Sequence, residues 1–207
     1  MKNFILLLVV AISTVTHAQS NFETGMTKAF ELWKIGKTDE AENRFERIAQ
    51  AESQEWLPHY YIAQINSLKS WTEKDAAVLK AQLDKAQKHL DLAQAISENN
   101  PELLIMQAQV LTNWVVYDGM TYGMKYSAQI NSLYHDAYTL DPTNPRAAFC
   151  KADWAMGSAK YFGKDTAPYC KDIEVALNLF DTFKPKSAIH PNWGKERALR
   201  VAKQCKS

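Results

Sequence analysis

Ala137, then Leu140-Asp141-Pro142-Thr143-Asn144-Pro145, then Ala148 and Ala152, decide how this chain folds. A helix cannot run through Asp141-Pro142, because proline lacks the amide hydrogen and clashes with the turn before it. Pro145 is tolerated in a first turn, where its missing N–H would have found no partner. The stretch therefore ends one helix and opens another a few residues later. Alanines on either side let the two helices approach closely. Such a hairpin cannot bury its own apolar face and needs neighbours, so recurrence of the pattern predicts stacked helical hairpins.

The pattern recurs. Residues 22–53 read as a first hairpin, with Ala29 and Leu32 on one helix, Gly36 at the turn, and Ala41, Phe45 and Ile48 on the return; Asp39 and Glu40 load its start with the negative charge a helix dipole favours. A second begins at Trp56-Leu57-Pro58, carries Ile62 and Ala63, and returns through Ala86, Leu90 and Ala93. Extra residues at 71–81 contain neither Gly nor Pro, so they predict a longer return helix with Thr72 as its N-cap. A third opens at Asn99-Asn100-Pro101 with Leu104, Ala108 and Leu111 inward. Residues 116–124 hold Gly119 and Gly123 among aromatics and predict a turn-rich insertion before a helix over 127–140. The fourth runs from Pro145 through a turn at Gly163 to about Phe183, and a polar helix over 195–205 reads as a cap. The expectation is roughly nine helices and no sheet.

The termini and composition set the surroundings. Lys2 followed by an apolar run over residues 4–12 and Thr16-His17-Ala18 reads as a signal peptide of residues 1–18, leaving a single domain over 19–207. That run is too short to span a bilayer, and no cysteine follows the cut to carry a lipid. Export to a periplasm or the medium follows, with no transmembrane segment in the mature chain. Loss of Lys2 leaves 23 Lys+Arg against 23 Asp+Glu, a balance that argues against nucleic acid as a partner.

Three cysteines allow at most one internal pair. If the last two helices run antiparallel about a connection centred near Ser187, Cys170 and Cys205 face each other and Cys150 faces neither. A Cys170–Cys205 disulfide is the expectation.

Ala29, Gly36, Ala41, Phe45 and Ile48 in the first copy, Ala63, Ala86, Leu90 and Ala93 in the second, Ala108, Tyr134, Ala137 and Pro142 in the third, and Ala152 and Ala176 in the fourth resemble the tetratricopeptide repeat, and the chain resembles exported bacterial proteins that carry it. The resemblance implies an all-α fold, a right-handed superhelical solenoid of about four helix-turn-helix hairpins plus the capping helix. It also implies a concave groove lined by the first helix of each hairpin. Carrying the register over residue by residue places Met26, Phe30, Trp33 and Lys34 there, then Tyr60 and Gln64, then Ile105, Gln109 and Asn113, then Arg146, Phe149 and Asp153. Aromatic anchors of that kind suit a peptide or protein partner, with Trp33 and Tyr60 foremost; the plainer reading is that Phe30, Trp33 and Phe149 pack between helices.

No nucleophile elbow, zinc-protease helix or phosphate loop is present, and no two histidines of the mature chain stand at i, i+4, so neither metal nor cofactor is expected. The chain reads as a non-catalytic interaction or scaffolding module. The rival readings are a hydrolase-like enzyme, with Asp118 and Tyr122 working under the 117–126 insertion, and a structural subunit of a cell-envelope complex.

Overall fold

The computed structural model describes residues 21–205; the signal-peptide reading and its cut lie outside them. Nine α-helices and no strand occupy the described residues. They are α1 (residues 21–34), α2 (Thr38–Ala51), α3 (Leu57–Ser70), α4 (Ala76–Ile96), α5 (Pro101–Tyr117), α6 (Gly119–Leu140), α7 (Pro145–Tyr161), α8 (Cys170–Thr182) and α9 (Lys195–Gln204), with a 3₁₀ turn at Ala167–Tyr169 before α8.

The punctuation in the sequence sets these bounds. Asn100 and Asn144 cap α5 and α7, each accepting backbone N–H groups of the first turn with a proline at the next position. Gly36 ends α1 at φ 81°, a left-handed conformation that closes a helix without a Cβ penalty. Two expectations need correcting. The extra residues at 71–81 do lengthen α4, to 21 residues, but its cap is Asp75, not Thr72: the Asp75 carboxylate accepts from the N–H groups of Ala77 and Val78. The 117–126 insertion is not a run of turns. Asp118 caps α6 through Met120 N and Thr121 N, and Gly119 and Gly123 then lie within a 22-residue helix. A charged cap at the right place outweighs the modest cost of glycine in a helix.

Each helix from α2 onward packs on its neighbour in sequence, and α3 also meets α5, and α5 meets α7. α3, α5 and α7 thus lie side by side. α5 lies between the other two, and α3 has Tyr60, Ile62, Ala63 and Ile65 fully buried. Two apolar clusters share α5. The first gathers Met26, Phe45, Tyr60, Leu83 and Leu90, and the second Ile105, Tyr134, Phe149, Ile173 and Val201.

The last two helices are antiparallel enough to bring Cys170 and Cys205 into a disulfide, Cα atoms 5.7 Å apart, while Cys150 stays free and buried. Closing that loop stabilises the chain by about 3 to 4 kcal/mol in the loop-entropy picture. Between α8 and α9, residues 183–194 form an irregular strap that returns across α3. Tyr61 Oη donates to the Ile189 carbonyl at 2.8 Å, and Trp193 Nε1 donates to Tyr60 Oη at 2.7 Å. Gly194 ends the strap at φ 107°, where an added Cβ would come within 2.9 Å of the Phe180 ring.

Candidate functional site

The strap changes the fate of the expected groove. Met26, Tyr60 and Ile105 have no exposed surface, Phe149 and Arg146 are 1% exposed, Asn113 3% and Gln64 8%. Neighbouring helices bury these side chains in two separate clusters, and over α3 the strap adds cover through Trp193 and Ile189. Asn113 Nδ2 is held by the Ser67 carbonyl and by the hydroxyls of Ser67 and Ser70. Phe30 and Trp33 are half-buried and meet Tyr61 edge-on, so Trp33 and Tyr60 form no open pair. Gln109 Nε2 points at Cys150 Sγ, and Asp153 is salt-bridged to Arg197 at 2.8 Å. Lys34 alone of the twelve is exposed.

Under the rival enzyme reading, Asp118 and Tyr122 would meet in a closed pocket with Asp153 or His135. Asp118 instead caps α6, its carboxyl held below the usual range by the Thr121 hydroxyl and by backbone N–H groups. Tyr122 stacks on Tyr126 and meets Trp114 at a tilt.

A concave site does exist, at the other end of the odd helices. The α4–α5 turn, the α6–α7 turn, the first turn of α7 and the strap enclose a cleft of ≈ 660 Å³, within the range of small-molecule sites. Its apolar walls are Trp56, Pro101, Leu179, Phe183, Pro185 and Pro191; Lys184 and Lys186 stand exposed at its rim.

A sealed ion pair forms part of the cleft wall. Arg146 donates from Nε and Nη2 to the Glu102 carboxylate, which also accepts from Asn144 Nδ2. The guanidinium carbon lies 4.5 Å from the centre of the Phe183 ring, and Nη1 has no partner among the described residues. The same asparagine that caps α7 thus steadies the buried carboxylate. With Glu102 paired to Arg146, the remaining charges of the lining are Lys184 and Lys186 on the strap and Glu98 and Asp141 on the facing turns.

His190 completes it. Its Nδ1 lies 2.8 Å from Ser187 Oγ, its ring meets Trp56 edge-on at 6.1 Å, and its backbone N–H closes a turn on the Ser187 carbonyl. Burial first, and the Lys186 ammonium second, lower its pKa, so the ring is neutral at neutral pH. Sequence reading takes this residue for an ordinary surface or partly packed histidine, since a lone histidine between Ile189 and Pro191 has no motif around it. The one available signal was its place in a segment too rich in proline to be helix.

Two further histidines meet across helices. His59 on α3 and His89 on α4 face each other with Nδ1 atoms 2.9 Å apart, and burial lowers both pKa values, His89 to about 4. No group of three or more potential metal ligands occurs among the described residues. None of the described helices is long and apolar enough to cross a membrane.

An all-α chain with a ligand-sized cleft beneath an irregular strap is what fold and geometry define among the described residues. No family model matches the sequence, the tetratricopeptide repeat included, and no curated protein matches it. The fold is similar to that of the HusA haemophore from Porphyromonas gingivalis, with a TM-score of 0.74 at 20% identity over 89% of this chain and 92% of that one. A likeness at that identity concerns the fold alone.

Proposed function

We propose that this chain is an exported, non-catalytic binding protein whose ligand is haem or a close tetrapyrrole relative, held in the cleft under the strap. The observation that carries this reading is the make-up of the cleft. Apolar walls at Trp56, Phe183 and the prolines suit an apolar macrocycle, and Lys184 and Lys186, which share the lining with Glu98 and Asp141, suit its carboxylates. The likeness to a haemophore supports the choice of ligand. The disulfide fits an oxidising compartment and hence the proposed cut after Ala18. Within this reading the hairpins are tetratricopeptide-like and coil as a right-handed solenoid, with α9 as the cap.

Titration of haemin into the chain over residues 19–207 tests it. Binding is expected to saturate at one equivalent with a shifted Soret band and quenched tryptophan emission, and Trp56→Phe is expected to lose much of that quenching. An unchanged Soret band across the titration refutes the proposal.

A protein partner is the second reading, moved from the groove to a different face. Met124 is 94% exposed, Met120 85%, Tyr161 70% and Phe162 69%. α6 begins against Tyr161, so these side chains cluster where α6 starts and α7 ends. Apolar exposure of that kind marks contact surfaces.

A further inference from the structure

We propose that His190 is the iron ligand of the cleft, binding through Nε2; the assignment rests on the tetrapyrrole reading above. Haem iron in proteins is held by histidine, cysteine, methionine or tyrosine. Among the residues that line the cleft, His190 is the one side chain of those four types. The other described histidines are committed or distant: His59 and His89 engage each other through Nδ1, and His135 lies exposed on α6 outside the cleft.

The surroundings of His190 are those of a ligand held ready. A ligating imidazole donates its second ring N–H to a fixed acceptor, which sets the tautomer and the orientation of the ring. Ser187 Oγ stands 2.8 Å from Nδ1 and is itself fixed by the Ile189 N–H. With Nδ1–H donated to that oxygen, the lone pair lies on Nε2, which no described group engages. The turn from Ser187 to His190 and the edge-on Trp56 ring hold the imidazole. Lys184 and Lys186 lie on the same strap, so metal ligand and carboxylate partners are presented by one segment.

The test compares haemin with metal-free protoporphyrin IX on the wild type and on His190→Ala. The wild type is expected to bind both and to give haemin a histidine-ligated absorption and paramagnetic-resonance spectrum. His190→Ala is expected to lose that spectrum and to bind haemin at least about tenfold more weakly. Its affinity for protoporphyrin IX is expected to be unchanged, and added imidazole to restore the spectrum. A variant that keeps the wild-type haemin spectrum overturns the assignment. So does an equal loss for both porphyrins, which would make His190 a wall of the cleft and not a ligand. A wild type that binds neither porphyrin removes the tetrapyrrole reading, and this assignment with it. A wild type that binds protoporphyrin IX yet gives haemin no histidine signature removes only the assignment.

Discussion

Glu42 on α2 and Glu102 on α5 are both nearly sealed from solvent, at 5% and 8% exposure, but their partners differ in kind. Glu42 accepts from Asn66 Nδ2 and binds the ammonium groups of Lys69 and Lys85, which also reach Asp39 and Glu46. Those lysine side chains stay 29% and 37% exposed. Glu102 binds an arginine whose side chain is 2% exposed. Around Glu42 the counter-charges sit at the water boundary and can be exchanged for solvent or for one another. Around Glu102 both charges are enclosed, and the carboxylate's other partner is the neutral Asn144 amide, so no second cation can stand in for Arg146. The cost of breaking a buried carboxylate's ion pair follows the burial of the cation as much as that of the acid.

The sharpest way to break that contrast is to remove one enclosed charge. Arg146→Ala is expected to destabilise the protein by about 3 to 5 kcal/mol in urea unfolding, because Glu102 is left buried and unpaired. Arg146→Met combined with Glu102→Leu is expected to recover most of that loss. A loss under about 1 kcal/mol for Arg146→Ala would mean the pair is wetter than its burial implies.

Glu42 tests the other side. Glu42→Gln keeps the shape but weakens three charge-assisted contacts, and is expected to lose about 1 to 3 kcal/mol at pH 7. Acid titration gives a second measure. Burial pushes the Glu42 carboxyl up, but hydrogen bonds from Lys69, Lys85 and Asn66 and the Lys69 charge outweigh it and hold the pKa below its ordinary 4.5. A depressed folded value means that stability is present above 4.5 and is lost as pH falls through the folded pKa. His89, held by burial at about 4 against an ordinary 6.5, adds an earlier loss as pH falls between those values. Thermal melts are therefore expected to decline in two stages on acidification. Glu42→Gln would remove the lower stage, and His89→Gln would flatten the upper one.

The smallest effect is expected at Lys85. Its ammonium is partly in water and Lys69 remains on Glu42, so Lys85→Ala is expected to cost under about 1 kcal/mol by the same unfolding measurement. A cost equal to that of Arg146→Ala would erase the distinction between the two sites.

The helix boundaries were legible in the sequence wherever local chemistry decides them. Asn100-Pro101, Asn144-Pro145, Gly36 and Gly163 act on their own backbone, and the structure uses each as expected. The Cys170–Cys205 disulfide was legible for a similar reason, since antiparallel helices convert spacing into facing positions. Asp118 shows where local reading falls short: its cap turned two glycines into helix. The covering of the expected groove residues was not legible. Tyr60 and Arg146 carry no mark of being covered, because their cover comes from residues more than a hundred positions away in one case and some forty in the other. The His59–His89 meeting depends on how α3 crosses α4, with 30 residues between the two rings.

The disulfide encloses the whole strap in a covalent ring, because Cys170 opens α8 and Cys205 follows α9. Peptide-bond cleavage anywhere inside that ring cannot divide the molecule. Lys186 is exposed on the strap and is followed by Ser187, which makes that peptide bond accessible to trypsin-like proteases, whereas Pro185 shields the bond after Lys184. A chain nicked after Lys186 would keep both ends of the strap tethered, migrate as one species until reduced, and separate into two fragments only when the sulfur–sulfur bond is broken.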